Sequence, residues 1–219
     1  MDLAGVLFDM DGTLIDSEKM WEVGLRELAA NLGGSLSDAA RAEMIGTSTA
    51  ESMRILHDDL GLIGRDVMES GDWLDTRVME LFADGLEWRP GARELVATVR
   101  AAGLPTALVT ATRRALVDAA LLTLGRHNFD VVVCGDEVER AKPDPMPYLL
   151  AATTLGVDPR ACVAIEDSPT GVLSALAAGC IVVAVPHEVP FGDLDGFHVV
   201  SSLLDADVPL LRSLVRDRV

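Results

Sequence analysis

Short apolar runs, rich in Val, Ile and Leu, recur along most of the chain and end at small or acidic residues. They lack the alternation of polar and apolar positions that marks a strand with one wet face. We therefore predict strands that are buried on both faces, as in a parallel sheet. These predicted strands cover residues 5–9, 105–110, 131–135, 162–166 and 181–185.

Amphipathic stretches with a helical period separate most of these runs. Each stretch leads to a glycine, which commonly stands just past the end of a helix. The predicted helices cover residues 92–102, 113–124, 146–155 and 170–178. Alternation of strand and helix along a chain predicts an α/β fold built on a doubly wound parallel sheet.

The first predicted strand is followed by a long stretch that breaks this alternation. Its apolar residues are spaced three or four apart, which indicates helices, and no strand is indicated before the alternation returns near Pro90. We therefore predict an α/β core made of residues 1–15 and 86–219. Residues 16–85 form a helical cap in this prediction and lie over the ends of the strands.

The composition narrows the possible partners. The 18 Lys and Arg residues face 35 Asp and Glu residues, a formal net charge of −17, whereas a nucleic-acid partner needs a basic face. No apolar run reaches the roughly 20 residues of a membrane span, and the N-terminal residues do not resemble a signal peptide. Three widely spaced cysteines fit buried thiols better than a zinc site or disulfides. We expect a cytoplasmic protein, monomeric or weakly dimeric, without nucleic-acid or membrane partners.

Reactive polar residues stand at or just after the ends of four predicted strands. They are Asp9 and Asp11 after the first strand, Thr110 after the second, Lys142 after the third, and Glu166 and Asp167 after the fourth. The carboxyl ends of parallel strands meet at one edge of the sheet, where such folds bind their ligands. We therefore expect these residues to converge.

This set of residues suits phosphoryl transfer assisted by Mg²⁺. Asp9 and Asp167 can offer the carboxylate oxygens that Mg²⁺ prefers, and Asp9 can attack phosphorus to give an aspartyl phosphate. Asp11 can protonate the leaving alcohol and then take a proton from the hydrolytic water. Thr110 and Lys142 can hold and neutralise the phosphate oxygens. A local positive charge is needed because so acidic a protein repels anions at long range.

Each of these residues also has a plain structural explanation. The run from Asp9 to Gly12 alone fits a turn or, less well, a calcium-binding loop. Thr110 fits the end of a strand, Lys142 fits a surface lysine, and Asp167 fits the first turn of a helix, where a carboxylate is favoured. Six matching roles at successive strand ends favour catalysis over coincidence.

The same motifs resemble those of the haloacid dehalogenase-like hydrolase superfamily, over the whole chain. They are Asp9-Met10-Asp11-Gly12-Thr13, Thr110, Lys142-Pro143 and Glu166-Asp167. The helical insert and the stretches around Asp16-Ser17-Glu18 and Asp167-Ser168-Pro169 are similar to the subgroup of β-phosphoglucomutase and small sugar-phosphate phosphatases. The resemblance implies Mg²⁺ held by Asp9, the backbone carbonyl of Asp11 and Asp167, with Glu166 nearby. It also implies a cap that closes over a small phosphate ester.

Two activities remain open within that subgroup. The cap histidine of the mutase corresponds to Trp21, and the arginine that grips a second phosphate corresponds to Thr49. Dehalogenases lack the counterpart of Asp11. We therefore expect hydrolysis of a sugar or polyol phosphate, with a β-phosphoglucomutase-type mutase as the alternative. A family-like scaffold kept for binding is a third hypothesis, which the intact catalytic motifs disfavour.

The resemblance places the substrate contacts in the cap and in the loop after the second strand. The residues expected to bind the substrate are Glu18, Trp21, Gly46, Thr47, Ala111, Thr112 and Arg113. Two of them have equally plain explanations. Trp21 also fits the apolar interior of the cap, and Arg113 also fits the exposed start of a helix.

Overall fold

Six parallel strands form one sheet in the computed structural model, which describes residues 1–83, 85–187 and 190–217. The strands are β1 (Gly5–Phe8), β2 (Thr106–Val109), β3 (Val131–Val133), β4 (Cys162–Glu166), β5 (Ile181–Ala184) and β6 (His198–Val199). Their order across the sheet is β3-β2-β1-β4-β5-β6, with every pair parallel. The predicted doubly wound α/β fold is confirmed.

Helices pack against the apolar faces of this sheet. They are α1 (Glu18–Asn31), α2 (Asp38–Met44), α3 (Thr49–Asp59), α4 (Val67–Ala83), α5 (Ala92–Ala101), α6 (Arg114–Leu124), α7 (Met146–Leu155), α8 (Pro169–Ala177) and α9 (Val208–Asp217). Strands β1, β2 and β4 are buried along their whole length, as strands covered on both faces must be. Their continuous apolar sequences follow from that burial.

The predicted elements agree with the structure to within one or two residues at their ends. Strand β4 and helix α7 have the predicted bounds, while β3 ends at Val133, two residues before the predicted end. The structure adds β6 and α9, which the prediction lacks. Strand β6 has only two residues, and both are exposed, so no periodic pattern reveals it.

The stretch predicted as a helical cap contains α1 to α4. Helix α1 buries Leu25 and Leu28 and packs on α4. Helices α2 and α3 begin at serine caps, where Ser37 and Ser48 accept hydrogen bonds from backbone N–H groups in the first turn. Helix α4 also packs on α6, which connects this insert with the core. The division at residues 16 and 85 stays a prediction.

Two smaller expectations can be compared with the described residues. The three cysteines, Cys134, Cys162 and Cys180, are buried free thiols, as the spacing predicts. Among the described helices, none is both long and apolar enough to cross a membrane.

Candidate active site

The register of the sheet brings the predicted residues to one edge. Phe8, the last residue of β1, pairs with Leu108 of β2 and with Ile165 of β4. Asp9 and Thr110 directly follow β1 and β2, while Glu166 ends β4. Because the central strands end level with one another, their next side chains share one small volume at the carboxyl edge.

Lys142 joins these strand ends through its ammonium group. Its Nζ donates to Asp9 Oδ1 at 2.7 Å, to Glu166 Oε1 at 2.6 Å and to the Val109 carbonyl oxygen at 2.9 Å. The side chain is only 2% exposed. Burial alone would lower the pKa of Lys142, but Asp9 and Glu166 raise it above its ordinary value. Lys142 is therefore a fixed positive charge beside Asp9.

Asp9, Glu166 and Asp167 crowd their carboxylates into one buried cluster, in which one oxygen of each lies within 4.8 Å of the others. Burial raises the pKa of Asp9 to about 7, although Lys142 opposes the rise. Burial, with Asp9 and Glu166 adding to it, raises the pKa of Asp167 well above its ordinary value. Three carboxylates beside one ammonium favour a further cation. A set of oxygen donors fits a hard ion such as Mg²⁺.

Glu166 differs from the other two carboxylates because its oxygens already accept hydrogen bonds. Oε1 accepts from Lys142 and from the Tyr148 hydroxyl at 2.5 Å, and Oε2 accepts from Ser168 at 3.4 Å. Its side chain is fully buried. Glu166 is thus best placed to hold Lys142 in position beside Asp9. The Asp11 carboxylate lies outside the cluster.

Two glycines leave the space that these carboxylates occupy. A Cβ atom on Gly12 would lie 2.1 Å from Asp167 Oδ2, and one on Gly171 would lie 2.0 Å from both oxygens of Glu166. Gly12 also has a φ of +74°, a conformation that other residues rarely adopt. Neither position admits a side chain without displacing a carboxylate of the site.

Asp11 lies between the core and the start of α1 and is held by four side chains. Ser17 Oγ donates to its Oδ1 at 2.6 Å, and the Trp21 indole N–H donates to the same oxygen at 3.1 Å. Thr112 and Thr110 hydroxyls donate to Oδ2 at 2.7 and 3.3 Å. These bonds fix the carboxylate two residues beyond Asp9 without placing it in the cluster of Asp9, Glu166 and Asp167.

A cavity between the core and the helices of the insert opens onto Asp9, Asp11 and Asp167. Lys142 and Thr110 also line it, so the predicted catalytic residues face one space. Six of the seven residues expected to bind the substrate line it as well: Glu18, Trp21, Gly46, Thr47, Ala111 and Thr112.

Arg113 is the exception, and its expected contact with the substrate stays a prediction. Its Nη1 donates to Asp72 at 2.7 Å and to Asp75 at 2.8 Å, both on α4, and it is not among the residues that line the cavity. Burial raises the pKa of Asp75 to about 6, against the opposing effect of Arg113. Arg113 therefore links α4 of the insert to the start of α6. Spacing along the chain could not reveal the two partners.

The sequence prediction lacks several residues of the site, among them Tyr148, Ser17 and Arg41. Tyr148 is the chain's single tyrosine, and its position on an otherwise apolar helix, six residues after Lys142, was the available signal. Ser17 stands beside Glu18 in a stretch that the family resemblance includes. Arg41 lines the cavity from α2, and no pattern in the sequence distinguishes it from an exposed arginine.

Comparisons with known proteins agree with this geometry. The family model of the haloacid dehalogenase-like hydrolases matches residues 3–179. Hexitol phosphatase A of Escherichia coli K12 is 35% identical over 196 residues, which cover 87% of either chain. Protein CbbY of Rhodobacter capsulatus is 35% identical over 203 residues, covering 88% of this chain and 89% of its own.

A solved structure shows the same fold. A variant of CbbY from Rhodobacter sphaeroides, in complex with xylulose-1,5-bisphosphate, superimposes with a TM-score of 0.85 at 28% identity. The match covers 96% of this chain and 99% of that chain. With its motifs at the strand ends, its inserted helices and these relatives, the chain belongs to the haloacid dehalogenase-like hydrolase family.

Proposed function

We propose that this protein is a Mg²⁺-dependent phosphatase that hydrolyses a sugar or polyol phosphate through an aspartyl phosphate on Asp9. The chain is a phosphoric monoester hydrolase by its family and its phosphatase relatives. One observation supports the mechanism most. The buried Asp9 lies 2.7 Å from the fixed ammonium of Lys142, and Asp11 opens onto the same cavity.

The first step transfers the phosphoryl group to Asp9. Lys142 holds Oδ1 of Asp9, so Oδ2 attacks phosphorus, and the bond between phosphorus and the ester oxygen breaks. Asp11 gives its proton to that ester oxygen, and the alcohol leaves neutral. Lys142 and the Thr110 hydroxyl, together with backbone N–H groups, stabilise the charge on the phosphoryl oxygens.

The second step returns the enzyme to its starting state. Asp11, now ionised, takes a proton from a water molecule as the water oxygen attacks phosphorus. The bond between phosphorus and Asp9 breaks, which releases inorganic phosphate and restores the Asp9 carboxylate. Ser17, Trp21 and Thr112 hold Asp11 where it can serve both steps.

The residues expected to hold Mg²⁺ are Asp9, Asp167 and the backbone carbonyl of Asp11. The oxygen donors support this assignment, because one ammonium group is too little positive charge to neutralise three crowded carboxylates. A bound Mg²⁺ ion would supply the positive charge that lets an anionic substrate approach a carboxylate nucleophile. Glu166, with Tyr148 behind it, keeps Lys142 oriented toward Asp9.

The β-phosphoglucomutase-type alternative is weaker because of two side chains. The Trp21 indole is a hydrogen-bond donor only and cannot exchange a proton as a histidine can. It is engaged with Asp11. Thr49 lines the cavity where the mutase has an arginine for a second phosphate. Water is therefore the proposed acceptor of the phosphoryl group from Asp9.

The substrate class follows from the relatives. One relative is named a hexitol phosphatase, and the structure of the CbbY variant holds a ketose bisphosphate. The free buried thiols suit a reducing compartment, so we keep the cytoplasm as the proposed location. We also keep a monomer or weak homodimer as the proposed state.

A substrate panel tests the proposal. We expect purified protein to release phosphate from sugar or polyol monophosphates in preference to nucleotides. Removing Mg²⁺ with EDTA should lower the rate at least about 100-fold, because a metal contributes several kcal/mol to phosphoryl transfer. Readdition of Mg²⁺ is the control. Rapid conversion of β-glucose 1-phosphate to glucose 6-phosphate, with a trace of the 1,6-bisphosphate, would favour the mutase instead.

Replacing Asp11 with Asn is expected to slow both steps, by about 10²–10⁴-fold for a polyol phosphate. With p-nitrophenyl phosphate the leaving group needs no proton, so only the second step should be slow. The phosphorylated enzyme should then accumulate, which a burst of p-nitrophenol and mass spectrometry of acid-quenched protein would detect. Asp38→Asn, at a side chain 98% exposed, is the matched control. Loss of the first step alone would mean that the acid and base roles are divided.

A further inference from the structure

The cavity has two chemically different walls. The core wall carries Asp9 and Lys142, which receive the transferred phosphoryl group in the proposed function on which this inference rests. The opposite wall belongs to α1 and α2, and it presents Glu18, Trp21 and Arg41. The leaving group of the ester, which points away from Asp9, must therefore lie against this second wall.

Arg41 is bound to two carboxylates in this second wall. Its Nη2 donates to Glu18 Oε2 at 2.6 Å, and its Nε donates to Glu22 Oε2 at 2.7 Å. The Arg41 and Glu18 side chains are 10% and 9% exposed. We call Glu18, Glu22 and Arg41 the cap triad. Arg26 pairs with the other oxygen of Glu22, so that carboxylate is shared by two arginines, whereas Glu18 pairs with Arg41.

The cationic side chains on both walls are therefore already paired with carboxylates. Among the described residues that line the cavity, the cationic side chains are Lys142 and Arg41. Lys142 is bonded to Asp9 and Glu166, and Arg41 is bonded to Glu18 and Glu22. To bind a second anionic group, Arg41 would have to leave a buried carboxylate without its partner, which is costly in a site of low dielectric.

We propose that the cap triad makes the protein select phosphate monoesters with an uncharged, hydroxylated leaving group over esters that carry a second phosphate. Arg41 and the carboxylates of Glu18 and Glu22 are specificity-determining residues in this proposal. A hydroxyl group can exchange hydrogen bonds with a neutralised pair, because it both donates and accepts. A second phosphate meets carboxylates on this wall and an arginine already paired with them, so its charge is not offset.

Two matched substrate pairs test this selectivity. They are fructose 1-phosphate against fructose 1,6-bisphosphate, and glucose 6-phosphate against glucose 1,6-bisphosphate, assayed with Mg²⁺ at low salt. We expect kcat/KM for the monophosphate to exceed that for the bisphosphate at least about tenfold in the better-used pair. Added salt should narrow the difference, because it screens the partly exposed Glu22.

The variant Glu22→Gln removes one negative charge from the cap triad but keeps an acceptor for Arg41. Glu22 does not line the cavity among the described residues, so the change reaches the substrate through charge. We expect the preference for the monophosphate to fall about three- to tenfold. Glu80→Gln is the matched control, because Glu80 is an exposed residue of α4 that pairs with Arg77 instead. The kcat/KM values for the monophosphate and the bisphosphate are measured on one preparation of each variant. Any partial unfolding therefore cancels in their ratio.

The outcomes separate this inference from the proposed function. Hydrolysis of a monophosphate with equal or greater activity on its bisphosphate would overturn the inference alone. So would an unchanged ratio in Glu22→Gln, or an equal change in Glu80→Gln. Absence of hydrolysis for every phosphate ester in the panel would overturn the proposed function, and the inference with it.

Discussion

Asp9→Asn is expected to abolish turnover, with a loss on the order of 10⁴-fold or more, while the fold remains intact. An amide oxygen is a poor nucleophile and cannot form the aspartyl phosphate. The stability should not fall, because Asp9 is one of three crowded carboxylates and its burial raises its pKa to about 7. A neutral side chain at this position relieves repulsion from Glu166 and Asp167. Lys142 keeps its bond to Glu166.

Two measurements check this prediction. Steady-state phosphate release gives the loss of turnover, and mass spectrometry of acid-quenched reactions reports phosphorylation of Asp9 in the unmodified protein but not in the variant. Thermal unfolding of both proteins reports the fold. The exposed Asp38→Asn variant again serves as the control for an Asp to Asn change. A variant at position 9 that turns over at a rate close to that of the unmodified protein would rule out the covalent mechanism.

The residues that act at the strand ends were predictable because a parallel sheet converts sequence order into spatial proximity. Asp9, Thr110 and Asp167 each come directly after a buried apolar run, and paired strands end level. Lys142 follows β3 through a loop, yet its short distance to Asp9 agrees with the prediction that the two converge. The carboxyl edge is fixed by local patterns, which a single sequence contains.

The other residues depend on how separate helices pack, which no local pattern encodes. Arg41 of α2 reaches Glu18 of α1 across the insert, and Tyr148 meets Glu166 because α7 packs beside the central strands. Arg113 has partners that the sequence did not indicate. Its position after Thr110 suggested a substrate contact, but the packing of α4 on α6 brings Asp72 to it instead. Side chains that bridge the insert and the core were the least predictable.

In the proposed function, the metal ion and Lys142 would together neutralise the crowded carboxylates. Lys142 is bonded to Asp9 and Glu166, while Asp167 has no bond to it among the described contacts. The cation expected between Asp9 and Asp167 would complete the neutralisation. This division would explain why a protein with a net charge of −17 can still attract a phosphate ester at one place.

Lys142→Met is expected to destabilise the metal-free protein by about 3–5 kcal/mol, because it leaves buried carboxylates without their partner. In a chain of this size that loss lowers Tm by about 10 °C. The volume of the side chain is retained, so the cause is charge. Lys19→Met is the matched control, since Lys19 is the chain's other lysine and its side chain is 86% exposed. An equal Tm for both variants in EDTA would refute the prediction.

The destabilisation by Lys142→Met should also depend on pH, with a definite sign. The folded protein holds a proton on Asp9 up to about pH 7, whereas the unfolded chain releases it near 3.8. The folded state therefore binds more protons between these values, and stability falls as pH rises. Lys142 opposes the rise in the pKa of Asp9 and is charged throughout this range. Its removal therefore raises that pKa further and extends to higher pH the range over which stability falls. Unfolding in urea should show that Lys142→Met loses more stability at pH 8 than at pH 5. Carboxylates that are protonated at pH 5 gain little from the positive charge of Lys142. A deficit that is equal at both pH values would mean that Lys142 acts through packing.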